Sequence, residues 1–376
     1  MKEPIGILQI ANQFAIGGAE GQFVARVRAL PRSFRQVVAC LHRVGPHLEP
    51  LRKLGYEPEE FGLRGKLAQL NTGAQVLRLA ALIEREDVKL VHSNDFYASM
   101  LAVPAARLAG AKVVCSRFDL GHWSSRAQRF SEALLCRAAD AVLVNAGAVR
   151  DLVAGEDGVE PEKIEVVHNG IDLQAFDAAR RAEPLEPIPA GRPTVAVIAN
   201  LYPVKGHLDI LDAVELLKPQ IPELLVLFAG EGPMRPVLEA QIAQRGLRET
   251  VLLLGHRLDV PALLARANVG LLASHAEGLS NALIEAMAAS LPVVSTSVGG
   301  NGELVRAENG VLVAPRQPGA LAEALGTLLR DKGLAEKLGA AGRKRVETEL
   351  TLEAMGAKTA SLYWKLLSAE PQKQVA

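Results

Sequence analysis

Two glutamates eight residues apart carry the most informative chemistry in this sequence. They lie in the run Ser274-His275-Ala276-Glu277-Gly278-Leu279-Ser280-Asn281-Ala282-Leu283-Ile284-Glu285-Ala286-Met287. A strand-length apolar run, Val269–Leu272, leads into a small-residue turn, and Ser280 or Asn281 can cap a helix whose apolar periodicity starts at Leu283. The first amides of such a helix have no intrahelical partners and sit at the positive end of its dipole, so they form an anion site. Gly278 lets the backbone approach a ligand closely. Glu277 precedes the helix and Glu285 follows a turn later; on one continuous helix they would stand about 80° apart. Carboxylates accept hydrogen bonds from hydroxyl pairs, so the two suit a sugar at one end of a long ligand and a ribose at the other. The plainer alternatives are a helix-dipole partner for Glu277 and a solvated face for Glu285.

The elements that must position these groups follow from the hydrophobic pattern. Short apolar runs at Ile5–Ile10, Gln36–Cys40, Leu90–His92, Lys112–Ser116, Ala141–Val144 and Ile164–Val167 read as buried strands. Amphipathic stretches such as Gln69–Arg85, Tyr97–Leu108 and Ser125–Ala138 lie between several of them. Strand–helix–strand alternation means crossover connections, hence a parallel sheet covered on both faces. Residues 178–193 break the rhythm with four prolines in sixteen positions. Proline removes donors and disfavours helix, so this segment reads as an extended linker. The alternation then restarts with strands at Val195–Ala199, Leu224–Ala229, Val251–Leu254, Val269–Leu272, Val293–Ser295 and Val311–Val313, and residues 331–368 are helical. Two doubly wound α/β sheets facing across a cleft are expected, with ligands beyond the carboxyl ends of the strands.

Composition narrows the classes. The 376 residues carry 42 Lys+Arg and 42 Asp+Glu, and 49% are hydrophobic, which is ordinary globular composition of about two domains. Net neutrality removes the simplest argument for a nucleic-acid partner. Cys40, Cys115 and Cys136 form no C-x-x-C pair and read as reduced buried thiols. Neither a secretory signal nor an apolar run of about 20 residues is present, which points to a cytoplasmic location. No G-x-G-x-x-G follows the first strand, which counts against a dinucleotide oxidoreductase, and no P-loop signature occurs.

The stretch from Glu277 to Glu285, followed by Ala-Met-Ala-Ala-Ser-Leu-Pro-Val-Val-Ser-Thr-Ser-Val-Gly-Gly, resembles the signature of the group 1 glycosyltransferases, also called glycosyltransferase family 4. Gly17-Gly18-Ala19-Glu20 is similar to the family's N-terminal glycine loop, and His168-Asn169-Gly170-Ile171-Asp172 to the turn closing its first domain. Val204-Lys205-Gly206-His207 and Ala229-Gly230-Glu231-Gly232-Pro233 match its second-domain landmarks in order. The resemblance implies a retaining enzyme of the GT-B fold, built of two Rossmann-like domains. The expected division is an acceptor domain at 1–180, a linker at 181–193, a donor domain at 194–350 and a C-terminal segment, 351–376, crossing back to the first domain.

Carried over to these residues, the resemblance implies that Glu285 holds the donor ribose and Glu277 a hydroxyl of the donor sugar. The amides around Gly278, Leu279, Ser280 and Asn281 would cradle the diphosphate, with the Lys205 ammonium on it and Gly17-Gly18 closing from the first domain. A solvated lysine and a plain turn are the alternatives for Lys205 and the glycine pair. Relatives commonly carry arginine where Asn200 stands, which supplies a donor without charge. Arg257 is then a second cation, a group stacked on the base, or a surface group. No D-x-D triplet occurs, so no metal and no cofactor are expected, the nucleotide sugar being a co-substrate.

On the acceptor side, many relatives place a histidine close to Phe118. Here the nearest titratable residues are Asp119 and His122, and two readings stand for Asp119: orienting or deprotonating the acceptor hydroxyl with His122 assisting, or capping a turn. His92, at a strand end, is either a cleft group or a hydrogen-bonded structural histidine. Between Arg107 and Arg137 six basic residues face two acidic ones, with Trp123 and Phe130 interleaved. Peripheral contact with the anionic cytoplasmic face of the inner membrane is one reading of that excess, a solvated helix face the other.

The function expected is transfer of a sugar from a UDP- or GDP-sugar to a glycan or lipid-linked acceptor in cell-envelope polysaccharide or lipopolysaccharide synthesis. A non-catalytic sugar-nucleotide or glycan-binding member of the fold is the alternative, and a sugar-nucleotide epimerase a weaker third.

Overall fold

The structure, a computed structural model, describes residues 3–63, 70–121, 125–185, 188–189 and 191–368. The chain forms two compact units. One takes the residues up to Gly170 together with those from Leu352 onward, and the other is Ile171–Thr351.

The first unit holds a seven-stranded sheet of β1 (Ile5–Ala11), β2 (Phe34–Cys40), β3 (Glu59–Glu60), β4 (Val88–Ser93), β5 (Lys112–Arg117), β6 (Ala141–Val144) and β7 (Ile164–Val166). Its order is β3-β2-β1-β4-β5-β6-β7, and every pair is parallel. Apart from β3, each of these strands was legible as an apolar run, because a parallel strand is covered on both faces. The exception has only two residues, both glutamate, paired at the sheet edge with Ala39 and Cys40. A charged edge strand of that length leaves no hydrophobic trace.

The second unit holds β8 (Thr194–Ile198), β9 (Leu225–Ala229), β10 (Val251–Gly255), β11 (Val269–Leu272), β12 (Val293–Thr296) and β13 (Gly310–Val313). The order is β10-β9-β8-β11-β12-β13, again parallel throughout. In both sheets the winding reverses once, between β1 and β4 in the first and between β8 and β11 in the second. Loops that leave the carboxyl ends of two such strands diverge to opposite sides and open a crevice.

Chain division departs from the expectation built on proline content. Residues 181–193 belong to the second unit: the Leu185 amide donates to Asp259 Oδ2 at 2.7 Å, and the Arg192 guanidinium donates to the carbonyls of Glu223, Leu224 and Glu249. The helix Leu173–Ala179 is also part of that unit, held by the two-pronged Asp177–Arg343 pair at 2.7 and 2.8 Å. The boundary sits instead at Gly170–Ile171, where the Ile171 amide donates to Leu350 O at 2.9 Å.

The C-terminal helix Leu352–Ser368 packs into the core of the first unit. Tyr363 is fully buried edge-on to Phe34, with ring centroids 5.6 Å apart, among Ile7, Leu90 and Val114. Gly356 makes the close packing possible, since a Cβ there would fall 2.5 Å from Ala29 O. The three cysteines are buried and free. No described helix is long and apolar enough to cross a membrane.

Candidate active site

The carboxyl ends of β8 and β11 bring the principal sequence candidates of the second unit together. After β8 the chain passes Asn200 and makes a single 3-10 turn, Pro203–Lys205, before Gly206 and the helix His207–Leu217. After β11 it forms the loop Ala273–Ser280 and then the helix Asn281–Ala288. Gly206 turns at φ +66°, and a Cβ on it would lie 2.0 Å from Ala273 O, so glycine lets the two loops touch.

Lys205 Nζ lies 2.6 Å from Glu277 Oε1, and the Ser274 hydroxyl donates to that same oxygen at 2.6 Å. Glu277 Oε2 has no partner among the described residues. Ser274 is fully buried and is anchored from β12, where Thr296 Oγ1 donates to its carbonyl at 2.6 Å. From the far side Gly299, at φ +49°, presses on the glutamate's backbone; a Cβ there would fall 1.7 Å from Glu277 O. The Gly300 amide then donates to Gly278 O at 2.8 Å. Glu277 is thus held in a loop and not on the helix that carries Glu285.

Directly after Glu277, the buried amides of Gly278, Leu279 and Ser280 donate to no group among the described residues. Ser280 caps the following helix, its Oγ accepting the Leu283 amide at 3.4 Å, with Asn281 as the first helical residue. Three consecutive amides without described partners just before a helix, in the loop whose Glu277 meets the Lys205 ammonium, are donors that an anion could take.

Glu285 lies within that helix, partly buried, and its side chain has no partner among the described residues. Burial without a compensating cation pushes its carboxyl up to about 7. Asn200 bonds through its carbonyl to the Tyr202 amide at 2.8 Å, while its side-chain amide has no described partner. Arg257 is neither a surface group nor a spare cation. It is buried and fork-bonded to Asp259 at 2.8 and 2.7 Å, which holds that carboxyl down at about 2. Pairing two residues apart with a carboxylate that also receives the Leu185 amide ties down the chain after the second unit's first helix.

In the first unit, Gly17 precedes the helix Gly18–Ala29 in an extended conformation and Gly18 opens it. A Cβ at Gly17 would sit 2.2 Å from Glu20 Oε2. Across the β1–β4 reversal, Asp95 accepts the amides of Asn12 at 2.7 Å and Ala98 at 3.0 Å. Burial raises both the Glu20 and the Asp95 carboxyl above the usual range. Glu20 closes the Gly17-Gly18-Ala19-Glu20 motif but carries no chemical signal of its own, and Asp95 follows a strand with no motif around it, so residue type and spacing single out neither acid.

For the acceptor-side candidates the structure separates the readings. Asp119 Oδ1 accepts the Gly121 amide at 2.6 Å, the geometry of a turn cap, with Arg117 at 3.7 Å. His122 and Trp123 lie outside the described residues. His92 is fully buried and structural: Nδ1 is 2.5 Å from the Tyr363 hydroxyl and Nε2 is 2.8 Å from Ser116 Oγ. With both ring nitrogens engaged, it offers nothing to a ligand.

Residues 180–345 match the family Glycosyl transferases group 1, and residues 16–175 match Glycosyltransferase Family 4. The chain belongs to this glycosyltransferase family. Among its curated relatives, glycogen synthase of Mycobacterium tuberculosis is 28% identical over 77% of this chain and 71% of its own. A GDP-mannose-dependent alpha-(1-6)-phosphatidylinositol monomannoside mannosyltransferase of the same organism is 29% identical over 76% and 78%. Among solved structures, HepE of Anabaena in complex with UDP superposes with a TM-score of 0.83 at 21% identity, covering 96% of this chain and all of that one. The glycosyltransferase fold is GT-B, with one Rossmann-like sheet in each unit. In this glycosyltransferase the most specific sequence signature, Glu277 to Glu285, coincides with the ammonium–carboxylate pair and the unpaired amides.

Proposed function

We propose that this glycosyltransferase transfers a sugar from a nucleoside-diphosphate donor to a glycan or lipid-linked acceptor, with retention at the anomeric carbon. The observation that carries the reading is the Lys205–Glu277 pair set against the three unpaired amides of Gly278–Ser280. An ammonium and unpaired amides can stabilise the charge that develops on a departing diphosphate; one such donor is typically worth about 2.7–4 kcal/mol of barrier. Glu277 Oε2 is left to accept a sugar hydroxyl, and Glu285 suits the ribose diol. The relatives that use GDP-mannose or bind UDP support a UDP- or GDP-sugar.

Retention follows in this reading from the binding roles given to both glutamates, neither of which then serves as the nucleophile of a double displacement, a mechanism that needs a carboxylate about 5 Å from a paired acid. The bond from the anomeric carbon to the phosphate oxygen breaks while the acceptor oxygen bonds on the same face, and the acceptor's proton passes to the departing diphosphate. Asp119 orients the acceptor only if it leaves its turn, so the phosphate oxygen is the preferred base. Charge neutralisation by protein groups makes the reaction independent of divalent metal. Cell-envelope polysaccharide or lipopolysaccharide synthesis at the cytoplasmic face of the membrane is the setting that fits such a donor and acceptor.

Incubation with UDP-, GDP- and ADP-sugars in the presence of EDTA tests this. Release of one nucleotide, faster with a glycan or polyprenyl-phosphate acceptor, is expected, with the product retaining the donor's anomeric configuration. Inversion would sink the mechanism, and absence of binding to every donor would sink the function.

A further inference from the structure

One residue of the Glu277 loop grips the lysine segment at two points. The His275 amide donates to Val204 O at 2.7 Å, just before Lys205. The Nε2 of the same residue lies 2.7 Å from Asp209 Oδ2, in the first turn of the helix that follows Lys205. An ionised carboxylate can only accept, so Nε2 carries the hydrogen and the ring orientation is set by Asp209. Side-chain exposures of 25% for His275 and 18% for Asp209 keep the bond largely out of water, where it is stronger than at an open surface. Gly206 brings the loops close enough for this grip, and Thr296 and Ser274 hold the opposite side of the Glu277 loop.

We propose that Asp209 and His275 are positioning residues: together they clamp the Lys205 segment so that its ammonium meets Glu277 and the donor diphosphate in a single geometry. Neither is assigned a contact with substrate; both act through Lys205. The inference rests on the donor reading of this site. A lysine carries four rotatable side-chain bonds, so an unclamped backbone would leave its ammonium poorly placed. Misplacement of a reacting-site group by about an ångström costs on the order of a hundredfold in rate.

The test is a mutant cycle on the full chain with Asp209→Ala, Asp209→Asn, Lys205→Ala and the double variant Asp209→Ala/Lys205→Ala. Turnover is followed by nucleotide release, and calorimetry compares the tightest-binding of UDP, GDP and ADP with its parent nucleoside. Asp209→Ala is expected to lower kcat roughly ten- to a hundredfold and to weaken the diphosphate, while nucleoside binding is unchanged. Asp209→Asn, which keeps the acceptor oxygen, restores most of the loss, and Asp209→Ala adds little once Lys205 is gone. Equal cost of Asp209→Ala with and without Lys205, or equal weakening of nucleoside and diphosphate, overturns the inference alone. Unchanged diphosphate binding and turnover in Lys205→Ala overturns the reading of the site and the clamp with it. Should Asp209→Ala fail to fold, His275→Ala, which keeps the main-chain bond to Val204, goes through the same cycle.

Discussion

Lys205 and Glu277, 72 residues apart in the chain, close a 2.6 Å ion pair at the carboxyl ends of neighbouring strands β8 and β11. The pair neutralises both groups before a ligand arrives. A nucleotide sugar would divide it, the ammonium turning to phosphate and the carboxylate to a sugar hydroxyl. Glu277→Gln is therefore expected to lower kcat with the sugar donor while binding of the bare nucleoside diphosphate holds or tightens, because Lys205 is released. Lys205→Ala should weaken the bare diphosphate and cut kcat by about 10²–10³, the scale for removing one charge-stabilising donor. Calorimetry and steady-state rates check both.

If Glu285 holds the donor ribose, nucleotide affinity should depend on pH. Its carboxyl sits at about 7 in the folded chain against 4.5 for the free group. Between those values the folded state holds the extra proton, so stability falls as pH rises through the window. The ionised form is the better acceptor for ribose hydroxyls, so nucleotide affinity should rise between roughly pH 6 and 8. Glu285→Gln is expected to flatten that rise, weaken binding, and raise the ligand-free Tm at about pH 8 more than at about pH 5.

Gly299 supports the Glu277 loop from behind. Gly299→Ala combines a strained φ with a collision against the Glu277 carbonyl, at an expected cost of about 1–3 kcal/mol, with loss of donor turnover. Gly302→Ala is the control, since its nearest neighbour to a new Cβ is 4.0 Å away. Equal Tm and turnover for the two variants would contradict the assignment.

His207 is buried against Phe228, with ring centroids 4.9 Å apart and neither ring nitrogen bonded. Burial, aided by the Lys205 charge, holds its pKa down at about 4 against 6.5 for the free group. The unfolded chain therefore takes up a proton that the folded chain refuses, and stability is lost as pH falls from 6.5 toward 4, by about 1.4 kcal/mol for each unit of pKa separation. His207→Phe should remove this acid sensitivity and leave the fold at least as stable at neutral pH. Urea melts across the window measure it.

On the helix Arg126–Ala138, Phe130 is 66% and Leu134 48% exposed on one face, with Arg126 and Arg129 exposed beside them. An apolar strip flanked by guanidinium groups suits an anionic lipid surface. Salt-sensitive sedimentation with phosphatidylglycerol vesicles is expected, with loss in the Phe130→Ser/Leu134→Ser variant. Failure to bind at low salt would rule the surface out.

Much of this was written locally. Twelve of the thirteen described strands announce themselves as apolar runs because parallel strands bury both faces, and the small-residue turn with Ser280 before Leu283 announces a capped helix with unpaired amides. Each signal lies within a few residues, where spacing and periodicity suffice. Partnership across the fold does not. Residue types made Arg257 equally suited to phosphate and to solvent, and only packing shows it spent on Asp259. His92 suited a cleft role and a structural one equally, and only Tyr363, 271 residues later, decides for the structural one.

Sequence by itself determined two α/β halves, and it located the turn and the two glutamates on which the proposed donor site rests. Tertiary structure decided which groups meet. The order β10-β9-β8-β11 sets β11 beside β8 and not beside its predecessor β10, and that crossover alone carries Glu277 to Lys205 and His275 to Asp209. Strand order is fixed by how whole layers bury their apolar faces, a property of the assembled sheet that no short stretch of residues contains.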